Sequence, residues 1–306
     1  MSFCGIGVSL DRAPASGLGD AHQQGYAHRV KAAVIQLNSG GDLFANRTAA
    51  EEQVRAAAAA GAKLVVMPEK WPVLSSDEET RTLAEPLEGP SMLLAANLAQ
   101  ELAIDLIAGS FAEVLPNSER LANTSVHFGP DGRRKAVYRK IHLFDADVGG
   151  RVYRESDAFR AGNRPVLSTL ADGTVAGMAI CFDLRFPDLF QNLADHGAEV
   201  MVLPAAFTKT TTDAHWEVLL RARAIENGVH VVAANQDGRD GADRPAGGRS
   251  MIVGPWGEVL VECPPGKGFA LTDLDPAARH DARKALPVAA LRRDQANLDP
   301  MRGLEQ

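Results

Sequence analysis

A thiol, a carboxylate and an ammonium each stand where an apolar run breaks, and together they are the parts of a nucleophilic hydrolysis. Cys181 ends the run Gly177-Met178-Ala179-Ile180-Cys181, which reads as a buried strand, and Phe182-Asp183-Leu184-Arg185-Phe186-Pro187 follows at once. A strand-to-helix corner holds a side chain exposed beside backbone N–H groups and a helix N-terminus, the setting a reactive thiolate needs. Glu69 follows the strand-like residues 63–68, and Lys140 follows Val137-Tyr138-Arg139. A thiol with an ordinary pKa of about 8.5 is mostly protonated at neutral pH and needs a base within reach, for which Glu69 is the candidate. Attack on an amide carbonyl creates an oxyanion, which the Lys140 ammonium and the backbone N–H of Phe182 could stabilise.

Taken singly, each residue has an ordinary reading: a buried cysteine packs, and a Glu or Lys after a strand is a solvated charge. Three of them at three strand ends argue for one shared site. His215 offers a rival, a Cys–His dyad, but a histidine at a helix start beside Trp216 reads as structural or capping.

The elements that must position these residues follow from the pattern of apolar residues. Residues 32–37 read as a strand, followed by a helix with Ala50, Val54, Ala57 and Ala58 on one face and Gly61 past its end. A second helix carries Leu94, Leu98 and Leu102, and residues 106–110 form a further strand candidate. Turns at 129–132 and 172–173 predict two hairpins, the first delivering Lys140 and the second Cys181. Pro187 opens a helix closed by Gly197, residues 200–204 form a buried strand, and a helix runs from about 214 to 227 with Val218, Leu219, Ala222 and Ile225 at helical spacing. Three late strands cover 229–234, 250–253 and 258–261, and the loop 237–249 reads as a solvated connection that could border the pocket. Alternating strands and helices predict an α/β fold, and the hairpins make its sheets mixed. Residues 1–29 read as a loose extension and 30–306 as a single domain.

Composition excludes other classes. A net charge of −7 over 306 residues argues against nucleic acid as a partner. Three widely spaced cysteines, Cys4, Cys181 and Cys263, make neither a disulfide framework nor a metal knuckle and fit a reducing cytosol, where Cys4 and Cys263 are incidental. No apolar run approaches the roughly 20 residues needed to span a bilayer, and the first 28 residues lack a signal pattern, so the protein reads as cytoplasmic with no membrane partner. Gly5-Ile6-Gly7 lacks the third glycine and preceding strand of a dinucleotide loop, and no HExxH or His/Asp/Cys cluster is present. Neither a metal nor another cofactor is expected.

The blocks Val66-Met67-Pro68-Glu69, Tyr138 to Asp145 and Ile180 to Pro187, in that order, resemble the three signature blocks of the nitrilase, or carbon–nitrogen hydrolase, superfamily. The stretch from Leu203 to Phe207 and the run Ala214-His215-Trp216 to Asn227 are similar to its Nit amidase branch. The resemblance spans about Val30 to Arg293. It implies a four-layer α-β-β-α sandwich that forms a homodimer or higher homo-oligomer, and a catalytic Glu69, Lys140 and Cys181. It further implies that Glu155 is a second glutamate positioning substrate, and that Arg185, Phe207 and Thr211 line the substrate pocket. Arg185 is also the natural carboxylate clamp, because a guanidinium offers two parallel donors to a planar anion. Thr212 stands where relatives have glycine. The implied activity is hydrolysis of a small carboxylate-bearing amide through a cysteinyl thioester, deaminated glutathione first. The alternatives are omega-amidase activity on alpha-ketoglutaramate or succinamate, N-carbamoyl or other carbon–nitrogen hydrolysis, and a non-catalytic binding or scaffold protein.

Overall fold

Strand Val30–Gln36 shows how the layers form. Its side chains alternate, so Ala33 and Ile35 enter one apolar cluster with Ala50, Val54, Ala57, Met92, Ala95 and Leu98, while Ala32 and Val34 enter another with Met178, Val200 and Val231. The first cluster lies under helices Leu43–Ala59 and Pro90–Leu102, and the second joins two sheets and takes in Leu189, Phe190 and Leu193 of helix Pro187–Asp195 and Leu220 and Ala224 of helix Glu217–Asn227. The result is the expected α-β-β-α sandwich. These facts come from a computed structural model, which describes residues 29–292. The expected extension lies, except for Arg29, outside the described residues, as do Cys4 and residues 5–7.

The first sheet runs in the order Gly268–Leu274, Val30–Gln36, Leu64–Val66, Asp105–Ile107, Ala122–Phe128, Phe111–Glu113, with Arg134–Arg139 also paired to Ala122–Phe128. The second runs Val259–Glu262, Met251–Val253, His230–Asn235, Val200–Ala205, Val175–Met178, Val166–Thr169. Each has a parallel centre and antiparallel flanks, so both are mixed. At the carboxyl ends of the parallel strands the sheets meet: Leu37 bridges Gln236, and the backbone N–H groups of Glu69 and Gln236 donate to Ala205 O at 3.2 and 3.1 Å. That end is where α/β folds expose loops suited to chemistry.

A buried Ser-His-Asp arrangement ties the sheets elsewhere. His127 lies 2.7 Å from Ser168 Oγ through Nδ1 and 3.0 Å from Asp105 Oδ1 through Nε2, and Asp105 and His127 come from the first sheet while Ser168 comes from the second. All three are buried, and none lines the cleft described below, so the group is a polar strut between the sheets.

Several expectations change. The helix expected from about residue 214 begins at Glu217 after a wide turn over Thr212–Trp216, and it buries Leu220, Arg223, Ala224 and Asn227, while Val218 and Ile225 are 60% and 45% exposed. The reason is polar: Arg223 donates to Leu184 O at 3.1 and 2.9 Å and lies over the Phe190 ring, so a cation takes a core-facing position. The helix over Pro90–Leu102 likewise buries Met92, Ala95, Leu98 and Ala99, with Leu94 and Leu102 only partly covered. The polar segments after Lys140 and after Gln236 fold into two-stranded ribbons, Asp145–Val148 with Arg151–Arg154 and Asp237–Arg239 with Pro245–Gly247. Among the described residues no helix is long and apolar enough to cross a membrane.

Candidate active site

Glu69, Lys140 and Cys181 do converge, each at a corner held from several sides. Glu69 and Lys70 follow strand Leu64–Val66, and Lys70 adopts a left-handed φ of 51°. Ser110 fastens this corner: its N–H donates to Pro68 O at 3.2 Å, its Oγ accepts from Lys70 N at 3.0 Å, and its carbonyl accepts from Trp71 N at 3.2 Å. Gly109 is required beside it, because a Cβ there would stand 2.1 Å from Pro68 O.

Cys181 begins a short 3-10 turn, Cys181–Arg185, three residues past the end of strand Val175–Met178, rather than ending the strand itself. Its φ of 48° is unusual for a residue with a Cβ and turns the thiol out of the sheet. Asp183, fully buried, holds that strain. It accepts from Ile180 N at 2.9 Å, Tyr138 Oη at 2.6 Å and His142 N at 3.0 Å, and lies 2.7 Å from His142 Nδ1. Tyr138 and His142 flank Lys140, so one carboxylate locks the Cys181 turn to the Lys140 segment.

Within the site, Lys140 Nζ donates to Glu69 Oε1 at 2.9 Å and Glu155 Oε2 at 2.8 Å. An ammonium has three N–H bonds, which leaves one for a substrate oxygen. Burial opposes the charge on Lys140, but the Glu155 and Glu69 carboxylates outweigh it and raise its pKa well above the usual lysine range. The two glutamates are not equivalent. Glu155 receives Lys140 and the Phe144 N–H, at 2.8 Å each, on Oε2, and Asn123 Nδ2 at 3.0 Å and Lys70 Nζ at 3.1 Å on Oε1. Burial would raise its pKa, yet Lys140 and Lys70 hold the carboxyl well below the usual carboxylate range, so Glu155 is a fixed anion. Glu69 takes Lys140 and Asn123, the latter at 2.7 Å, on Oε1, and its carboxylate is also hydrogen-bonded to the Cys181 thiol. Glu69 is therefore the carboxylate in contact with the thiol.

Burial, the Glu69 charge and its hydrogen bonding push the Cys181 thiol well above its ordinary value, against the pull of Lys140 and an N–H from Ala206. The resting thiol is protonated. A cleft of about 160 Å³ opens over it, lined by Glu69, Lys140, Glu155 and Cys181 and continuing to Lys70, Tyr153, Arg154 and Arg244. Both ribbons contribute walls, so the loop 237–249 does border the pocket.

Arg185, Phe207 and Thr211 group beside this cleft and do not line it. The Arg185 guanidinium stands between the Phe182 and Phe207 rings, 5.8 and 5.5 Å from their centroids, and lies 3.3 Å from His215 Nδ1. It has no acidic partner among the described residues, and burial lowers its pKa. Thr211 is tied to Thr208, which does reach the cleft. His215 is exposed and faces Arg185 rather than the thiol, which disfavours the dyad. Thr212 fits because position 247 is glycine: a Cβ there would meet the Thr212 side chain at 2.0 Å. Sequence reading missed Asn123, Lys70 and Asp183. Of the three, only Asp183 carried a signal, standing two residues after the thiol.

A family model described as carbon–nitrogen hydrolase matches residues 31–284. The bovine (Bos taurus) deaminated glutathione amidase is 40% identical over 266 residues, covering 85% of this chain and 81% of that protein. The human (Homo sapiens) omega-amidase NIT2 is 38% identical over 258 residues, covering 84% and 92%. The crystal structure of Nit3 from Saccharomyces cerevisiae, a member of branch 10 of the nitrilase superfamily, superposes with a TM-score of 0.79 at 30% identity, covering 88% of this chain and 97% of that one. With the matched segment holding the sandwich and all three corners, the chain belongs to the carbon–nitrogen hydrolase family of the nitrilase superfamily.

Proposed function

We propose that the protein is a thiol-dependent amidase for small carboxylate-bearing amides, with deaminated glutathione as its substrate. The observation that carries the reading is the division of labour between the two buried glutamates around Lys140 and Cys181. Glu69 takes the thiol proton as Cys181 Sγ attacks the amide carbon, and the oxyanion is met by the third N–H of Lys140 and the N–H of Phe182. Glu69 then passes the proton to the leaving nitrogen as the carbon–nitrogen bond breaks. Water activated by the same carboxylate cleaves the thioester, giving a carboxylic acid and restoring the thiol.

The substrate class is supported by Arg185, a half-buried guanidinium at the end of the Cys181 turn that lacks an acidic partner among the described residues. A ligand carboxylate supplies that partner, in bidentate geometry. The cleft over Cys181 carries Arg154, which donates to the Tyr153 carbonyl at 2.7 Å, and it suits a leaving group larger than ammonia. That favours deaminated glutathione over the omega-amidase substrates. A panel of deaminated glutathione, alpha-ketoglutaramate and succinamate, with neutral amides of matched length, tests both points. Arg185→Lys is expected to lower kcat/KM for the anionic amides by on the order of tenfold or more and to change neutral ones much less. Equal losses on charged and neutral amides would assign Arg185 to support of the Cys181 turn and remove the preference for acids.

The homodimer expected of the family has a candidate face in Val218, Ile225 and Trp256, which point outward with Ile225 lying over Gly257. Sedimentation velocity at micromolar concentration should return twice the chain mass. A monomer mass would sink this part of the reading.

A further inference from the structure

Asn123 lies in strand Ala122–Phe128 and is 1% exposed, on the side-chain face that also carries His127 towards the second sheet. Its amide nitrogen donates one hydrogen to Glu69 Oε1 at 2.7 Å and the other to Glu155 Oε1 at 3.0 Å. Its main-chain carbonyl accepts the N–H of Lys140 at 2.9 Å. The strand ladder is made by the backbone and does not need this side chain, and Oδ1 has no protein partner among the described residues. Bridging the two carboxylates is thus the polar contact the side chain makes within the protein.

We propose that Asn123 is a positioning residue for the acid–base step, one that fixes the separation of Glu69 and Glu155 and turns Glu69 towards the Cys181 thiol. The inference rests on the amidase reading for its kinetic consequence, but its geometry does not depend on the substrate. Two like charges flank one lysine here, and an amide with two donors and no charge is the group that can hold both without adding to their repulsion. The charged and titratable groups that face the bridge are Glu69, Glu155, Lys140, Lys70 and Cys181.

The test compares Asn123→Ala and Asn123→Asp with the parent chain by turnover and by the pH dependence of Cys181 alkylation with iodoacetamide, after thermal melts confirm folding. Asn123→Ala is expected to lower kcat by about 10–100-fold with KM within about threefold. The acid limb of the alkylation profile should move from its parent position, because Glu69, whose charge and hydrogen bond act on the Cys181 thiol, is no longer held in place. Asn123→Asp should move it further, since it sets a third carboxylate against two. A uniform loss of rate at every pH with the limb unmoved would make Asn123 merely structural and overturn the proposal, as would parent-like kinetics. If the parent chain hydrolyses no amide and the limb still moves, the amidase reading falls and the positioning role stands.

Discussion

Replacing Cys181 by alanine is expected to abolish turnover, and replacing it by serine to come close. Serine restores a hydroxyl, but its proton is held far more tightly than a thiol's and a single carboxylate base cannot make it an effective nucleophile. The thiol here already starts protonated, raised by burial and by Glu69, so attack and proton transfer to Glu69 have to be concerted. With parent protein, brief mixing with substrate followed by acid quench should reveal an adduct whose mass equals parent plus acyl group. Cys181→Ala should show none. Neither substitution should disturb the fold, since Ile180, Tyr138 and His142 hold the turn through Asp183 rather than through the thiol. Wild-type rates from either variant on the best substrate would mean that the nucleophile lies elsewhere.

The three corners were legible because each combines an apolar strand with an abrupt polar residue, a pattern that survives without knowledge of pairing. Glu155 was not legible in that way: it opens a four-residue helix, Glu155–Ala158, after a ribbon whose segments DADV and RVYR lack clear alternation, and its place came from the family resemblance. Asn123 sits in mid-strand, where an asparagine reads as an ordinary polar position. Only the register that sets Thr124 opposite Arg139, and so the Asn123 carbonyl against the Lys140 N–H, gives it meaning. Lys70 is hidden for a different reason. Its reach to Glu155 depends on a left-handed backbone at a non-glycine residue, which no local propensity announces. The helix Glu217–Asn227 misled because Val218 and Ile225 face outward while Arg223 and Asn227 are buried beside Leu220 and Ala224, with Arg223 donating to the Leu184 carbonyl. Edge strand Gly268–Leu274 went unread although it pairs with Val30–Gln36 along its full length, because the partner is more than 200 residues away.

Lys140→Ala is expected to cost on the order of 10²–10³ or more in kcat, while His215→Ala should leave the chemistry within a few-fold of the parent. The difference follows from where each group points. Lys140 is 1% exposed and spends two N–H bonds on Glu69 and Glu155, and in the proposed mechanism its third meets the charge that develops on the carbonyl oxygen. His215 is exposed and engaged with Arg185, so its loss should appear in binding of anionic amides before it appears in turnover. Removing the lysine also leaves two buried carboxylates facing each other, which could cost about 3–5 kcal/mol of stability and imitate a catalytic defect. Lys140→Arg separates the two effects: it retains a cation between Glu69 and Glu155 and so should recover most of the melting temperature. The planar guanidinium cannot aim a third donor as the ammonium does, so kcat should stay low. Recovery of both stability and rate in Lys140→Arg would reduce the lysine to a counter-charge. An inactive His215→Ala beside an active Lys140→Ala would replace the Glu69 mechanism with a Cys–His dyad.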